Sequence, residues 1–260
     1  MNIYVELTER FNEGKLRAVL SSGQAVVLHH LAVMSKDGDW ILKEELETLG
    51  HVLQVLSQYG AQYRFGAPLD VRWLSGGWSS HLEFGYNNLR VRTDFVTRPP
   101  RIPQVALDRL WVEQEGKDIP FVDIKTLIEI KETNREKDYA VIGELARMLS
   151  SAKDQMLYSR SARDIMMLAA KHPEILLELV IERPLLGKIS QGRLALEQAL
   201  DEEKRHLIHA NEARLEAYMK AAEEWSKMWI QVEKEVRGYP LLEAHHLIAT
   251  RASGVLPFSV

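Results

Sequence analysis

Apolar and polar positions alternate between two periods along this chain. The run Arg17-Ala18-Val19-Leu20 predicts a short buried strand, which Ser21-Ser22-Gly23 breaks. A short helix over 24–30 and a strand over 39–42 follow. Over 44–59 the apolar positions Leu46, Leu49, Leu53 and Leu56 recur every three or four residues, predicting a helix that Gly60 stops. Two further runs, 81–84 and 89–96, flank Asn87-Asn88 and read as a β-hairpin. In its second strand Val91, Thr93 and Phe95 share one face, and Arg90, Arg92 and Asp94 the other. A second hairpin is expected over 111–122, with Glu115-Gly116-Lys117-Asp118 inside it. Asp123 is placed to cap a helix over 124–132, and another helix is expected over 137–149.

Beyond about residue 155 the pattern becomes helical, rich in Ala, Leu, Glu, Met and Lys. Helices are expected over 162–171 and 174–181, punctuated by Pro173 and Pro184. Neither proline nor glycine occurs over 194–237, where Leu215, Tyr218, Ala222, Trp225, Trp229, Val232 and Val236 form a stripe. A continuous helix of that length spans roughly 60–70 Å. Its stripe needs a partner surface: the preceding helices over 162–181, which are favoured, the N-terminal half, or a dimer or partner seam. The shift in character near Ser150-Ser151 predicts two domains, 1–150 and 151–260.

Composition narrows the function classes. The 260 residues are 46% apolar and 27% charged, which suits a folded globular chain. There is no cysteine, so disulfides, thiolate nucleophiles and cysteine-ligated metals are excluded. The net charge of −4 argues against bulk electrostatic binding of nucleic acid, although residues 64–101 carry six arginines against three carboxylates. No apolar run approaches the roughly 20 residues of a membrane span, and the start has no signal-peptide pattern; a cytoplasmic location without membrane contact is expected. No Gly-x-Ser-x-Gly elbow occurs, so serine-hydrolase chemistry is not expected.

Asp37 and Asp39 alternate along one predicted strand and so project from one face, while Asp94 lies on the polar face of the hairpin. Three carboxylates converging there would call for a hard divalent cation. Upstream, Ser22-Gly23 joins a strand to a short helix, a place where backbone N–H groups can meet phosphate. Trp78, in the run Gly76-Gly77-Trp78-Ser79-Ser80-His81, could stack a nucleotide or pack into the core. Arg98-Pro99-Pro100-Arg101 could meet phosphate or serve in surface ion pairs. His206 and His209 have metal-ligand spacing but no fixed third partner.

The ordered pieces Ser22-Gly23-Gln24-Ala25, Ser35-Lys36-Asp37-Gly38-Asp39 and Arg92-Thr93-Asp94-Phe95 resemble the nucleotidyltransferase superfamily of polymerase-β-like fold. Adding Leu127-Ile128-Glu129-Ile130-Lys131 and Arg135-Glu136-Lys137-Asp138, the chain is similar to the bacterial branch that holds the AbiEii-type toxin nucleotidyltransferases. Two positions depart from that pattern: Ser22 stands where glycine is usual, and Gly38 where an apolar residue is usual. The resemblance implies an α+β fold, a nucleotidyltransferase-like mixed sheet flanked by helices, followed by an all-helical C-terminal domain. It implies Asp37, Asp39 and Asp94 as catalytic residues and ligands of Mg²⁺ or Mn²⁺. It implies that Ser22, Gly23, Lys131, Arg135, Lys137 and Asp138 bind an NTP. The acceptor would be RNA or tRNA, a protein or a small molecule; an antitoxin partner and a homodimer through the long helix are further expectations. The competing expectation is a catalytically inert nucleotide-binding or interaction protein on the same scaffold.

Overall fold

The computed structural model describes residues 2–260. It comprises two compact units: the chain up to Val122 together with Glu216–Val260, and Asp123–Leu215. The expected division at residue 150 is thereby corrected. The chain's last helices belong to the same unit as its first strands.

The first unit opens with α1 (Ile3–Phe11), β1 (Ala18–Ser21), α2 (Ser22–Leu28), β2 (Asp37–Leu42) and α3 (Leu46–Gln58). It continues with β3 (Gln62–Tyr63), α4 (Val71–Leu74), β4 (Ser80–Tyr86), β5 (Leu89–Val96) and α5 (Gln104–Gln114). The second contains α6 (Ile124–Lys131), α7 (Glu136–Met148), α8 (Ala152–Tyr158), α9 (Ala162–Lys171), α10 (Pro173–Glu182), a 3₁₀ helix (Pro184–Gln191) and most of α11 (Arg193–Ala221). The first unit is completed by α12 (Glu223–Glu235) and α13 (Leu241–Ala252). The fold is therefore α+β: one mixed sheet with flanking helices, and only helices after β5.

The five strands run in the order β1-β2-β5-β4-β3. Only the β2/β5 pair is parallel; β1/β2, β5/β4 and β4/β3 are antiparallel. The hairpin forms as expected. Asn87 and Asn88 both take positive φ (47° and 62°), which is what a tight two-residue turn between twisted strands requires. Val91, Thr93 and Phe95 are buried and Arg92 and Asp94 only half-buried, so the predicted faces hold. On β2, Trp40 stacks on Phe95 (5.5 Å between ring centroids) and meets Phe11 edge-on, while its Nε1 donates to Thr8 Oγ1 at 2.9 Å.

Residues 104–114 form a helix, not the first arm of a hairpin. Leu107, Leu110 and Gln114 lie on one helical face and are buried, and Gln114 Oε1 accepts the Phe121 N–H at 3.1 Å. Asp123 caps α6 as predicted, accepting from the Lys125 and Thr126 N–H groups.

The long stripe also resolves differently from expectation. The helix breaks at Ala222 (φ −89°, ψ 3°), although neither glycine nor proline is present. Trp225 and Trp229 are buried in the core that holds Trp73, Leu74 and the sheet, not against the helices over 162–181. The indole of Trp225 donates to Gly66 O at 2.9 Å, and Tyr218 Oη donates to Gly76 O at 3.0 Å. Two anchors, one on each flank of α4, fix both sides of the break. Among the described residues, no helix is long and apolar enough to cross a membrane.

Helix α13 reaches β3 through a buried polar contact. Tyr63 Oη receives the Leu69 N–H (3.1 Å) and is hydrogen-bonded to His245 Nδ1 (2.7 Å). Burial pushes the Tyr63 hydroxyl well above its ordinary value and holds His245 below its own; Asp70 opposes the latter, and His246 and Arg72 reinforce it. A histidine depressed in the folded state binds its proton more readily when unfolded. Its stabilising contribution is therefore complete above about pH 6.5 and is lost as pH falls through the lower folded value. Thermal melts between pH 8 and pH 5 should show a decline that is reduced in His245→Asn, which keeps an acceptor but cannot titrate. An unchanged decline in that variant would assign the pH dependence elsewhere.

Candidate functional site

The parallel β2/β5 register builds the candidate site. Asp39 pairs with Asp94, and Asp37 with Arg92. Register partners on neighbouring strands point to the same face, so Asp37, Asp39 and Asp94 project together, with backbones about 4.8 Å apart across the pair. The antiparallel β4/β5 register adds His81 opposite Asp94 and Glu83 opposite Arg92.

Arginine and histidine side chains meet these carboxylates. His81 Nδ1 lies 2.7 Å from Asp94 Oδ1, and Arg64 Nη1 3.6 Å from the same oxygen. Arg92 Nη1 is 3.7 Å from Asp37 Oδ1, which is buried and accepts no hydrogen bond. Among the described residues no group of three His, Asp or Glu side chains is gathered as it would be around a metal ion. The donor set nevertheless suits a hard cation: all-oxygen, two carboxylates in direct register, and a third with a buried oxygen that no donor satisfies.

Tyr4 covers this edge of the sheet, donating to Lys36 O at 2.5 Å. Burial, then the negative charge of Asp37, pushes its hydroxyl above the ordinary value. Gly38 is explained here. A Cβ at that position would lie 2.4 Å from the Trp40 ring and 2.5 Å from the Tyr4 ring, so these two aromatics occupy the space of the usual apolar side chain. Gln24, buried at the start of α2, donates to Ser35 O (3.1 Å) and Asp37 O (3.3 Å), which fixes the entry into β2.

Ser22 and Gly23 open α2 directly after β1. Ser22 adopts a left-handed φ of 49°, rare for a residue with a side chain. A Cβ on Gly23 would meet Ser35 Oγ at 2.3 Å, so this glycine accommodates a protein side chain. Its backbone N–H, not its missing side chain, is what it could offer to phosphate.

Lys131, Arg135, Lys137 and Asp138 belong to the second unit. Asp138 is buried; it accepts from Thr133 Oγ1 (2.6 Å) and Arg135 Nε (2.9 Å), and buried Lys131 lies 3.4 Å away. Burial alone would raise this carboxyl. The Thr133 hydrogen bond and the charges of Lys131 and Arg135 outweigh it, leaving the group below its ordinary range. Lys137 is exposed. Within their own unit Lys131, Arg135 and Asp138 lock the turn between α6 and α7; the role of all four toward nucleotide is carried by the resemblance alone.

The basic stretch over 64–101 resolves into ion pairs. Glu83 holds Arg90 through two bonds of 2.9 and 2.8 Å, and Glu44 holds Arg98 through two of 2.8 and 2.7 Å. Asp70 pairs with Arg72. Trp78 is buried edge-on against Tyr218, the packing alternative of its two readings. His206 and His209 are exposed on α11.

Sequence reading missed His81, Ser79, Arg64 and Gln24. The signal for His81 was present: a two-residue turn at 87–88 fixes the register, and that register sets residue 81 opposite residue 94.

No protein-family model matches the chain, and no curated protein matches it either. Among solved structures it is similar to one from H. pylori described as a "putative nucleotidyltransferase". The two chains are 11% identical with a TM-score of 0.39, over 81% of this chain and 96% of the other. A likeness of that degree says nothing of activity; the residues of the β2/β5 face carry the chemistry.

Proposed function

We propose that the chain is a metal-dependent nucleotidyltransferase, moving a nucleoside monophosphate from an NTP to a hydroxyl acceptor and releasing pyrophosphate. The observation that carries this reading is the Asp39–Asp94 register pair on adjacent parallel strands, with Asp37 on the same face. Like charges in direct register are costly unless something neutralises them. Asp37, Asp39 and Asp94 would hold Mg²⁺ or Mn²⁺, which when bound supplies positive charge against the triphosphate and against charge developing in the transition state. Asp94, hydrogen-bonded to His81, would also receive the proton of the acceptor hydroxyl. The backbone N–H groups of Ser22 and Gly23 would face phosphate oxygens. RNA or tRNA leads as acceptor, ahead of a protein or a small molecule; this, the role of toxin with an antitoxin partner, and a cytoplasmic setting follow from the resemblance.

A second reading is favoured by a specific observation: Arg92, Arg64 and His81 already stand against Asp37 and Asp94. Carboxylates already met by the protein's own side chains suit an inert scaffold that binds a partner. Calorimetric titration with each NTP, with and without Mg²⁺, separates the two. Metal-dependent binding that weakens at least about tenfold in Asp37→Ala is expected. Absence of binding by every NTP in both conditions would overturn the enzyme and leave the interaction protein.

A further inference from the structure

Ser79, His81 and Asp94 are joined by two hydrogen bonds. Ser79 Oγ lies 2.9 Å from His81 Nε2, and His81 Nδ1 lies 2.7 Å from Asp94 Oδ1. An ionised carboxylate can only accept, so His81 carries its proton on Nδ1. In the tautomer that carries its proton on Nδ1, the ring offers Nε2 as the acceptor for the serine O–H. A hydroxyl hydrogen-bonded to an imidazole that a carboxylate orients is the arrangement of an activated oxygen nucleophile, recognised by geometry and not by sequence position.

The surroundings favour a particular electrophile. Arg64 Nη1 is buried beside the relay and makes no hydrogen bond; the nearest carboxylate oxygen is 3.6 Å away. A guanidinium with an unused donor matches the oxygens of a phosphoryl group. The ring of His81 is fixed on its far edge by Gly66, where a Cβ would come within 2.6 Å of His81 Cδ2. The Ala67 N–H donates to Ser79 O at 3.1 Å and holds the serine backbone against the same loop. The imidazole and the carboxylate remain about one quarter exposed (25% and 24%), so the relay is open to a small reagent.

We propose that Ser79 is a covalent nucleophile toward phosphoryl electrophiles, with His81 as its base and Asp94 as the orienting carboxylate. Ser79 Oγ forms a bond to phosphorus while the bond to the leaving oxygen breaks with its electron pair. The hydroxyl proton passes to His81 Nε2 and from there to the leaving group. This step needs neither nucleotide nor divalent cation, and it goes beyond nucleotidyl transfer.

The test is labelling of the full chain with an alkyl fluorophosphonate, mapped by peptide mass spectrometry. In that reaction the Ser79 Oγ–P bond forms, fluoride leaves and the serine proton is released. One adduct is expected at Ser79, formed at least about 100-fold faster than at exposed Ser190 in the same molecule. His81→Gln, which keeps the size of the side chain but offers no base, should slow labelling by a similar factor, and Ser79→Ala should remove the adduct. Labelling of wild-type Ser79 no faster than Ser190, or wild-type labelling of Ser79 in folded His81→Gln, would overturn the inference. The wild-type comparison decides without any variant. A chain that labels at Ser79 but binds no NTP would keep this inference and lose the nucleotidyltransferase; one that binds NTP and leaves Ser79 unlabelled would do the reverse.

Discussion

Asp39→Asn should lower nucleotidyl transfer by two to three orders of magnitude while leaving the chain folded. Asp39 sits in direct register with Asp94, and it is the shared charge of that pair that would draw the cation. An amide keeps the size and one acceptor oxygen but removes the charge. The electrostatic stabilisation lost when one preorganised group is removed from a transition state is worth about 10²–10³ in rate. Stability should move the other way or not at all. In metal-free buffer the variant relieves repulsion between neighbouring carboxylates, so its melting temperature should equal or slightly exceed that of the wild type. The measurement is transfer from labelled NTPs to total cell extract, read beside a thermal melt. Undiminished transfer by the folded variant would remove Asp39 from the site. The readout also reports the acceptor, because RNA, protein and small molecules separate after labelling.

The largest structural effect should come from Trp225→Ala. The side chain is fully buried, meets Trp229 edge-on at 5.6 Å and donates to Gly66 O. Truncating a buried tryptophan costs about 3–5 kcal/mol, and losing its hydrogen bond to the half-buried Gly66 carbonyl adds about 1 kcal/mol. For a unit of this size the melting temperature should fall by on the order of 10 °C or more. Trp225→Phe separates the two contributions, since it keeps most of the volume and removes only the donor. A fall of less than about 2 °C in Trp225→Ala would mean that α12 is not part of the core. The same geometry predicts that a fragment ending at Ser150 exposes the apolar surface that α12 and α13 cover, and binds hydrophobic dye. In the intact chain those helices bury it against the sheet core, not against helices α9 and α10, the favoured expectation.

What the sequence by itself determined is what short-range physics decides. Alternation over 89–96 set which residues face inward, and Asn87-Asn88, able to take positive φ, closed the hairpin in one register. The Asp123 carboxylate fixed the start of α6 through N–H groups two and three residues away. The same-face placement of Asp37 and Asp39 follows from the period of a strand. That they meet Asp94 depends on β2 and β5 pairing in parallel, which no local signal encodes, because α3, β3, α4 and β4 lie between the two strands in the chain. Tertiary structure alone decided that residues 104–114 coil, since the gain is burial of Leu107 and Leu110, not hydrogen bonding between strands. It alone decided the break at Ala222 and the return of the C-terminal helices. Those features rest on contacts such as Trp225 with Gly66 and His245 with Tyr63, between residues 159 and 182 positions apart. Periodicity states that an apolar face needs a cover, but every apolar face is chemically alike. Which surface covers it is settled by shape and by a few directional hydrogen bonds that exist only once the chain has folded.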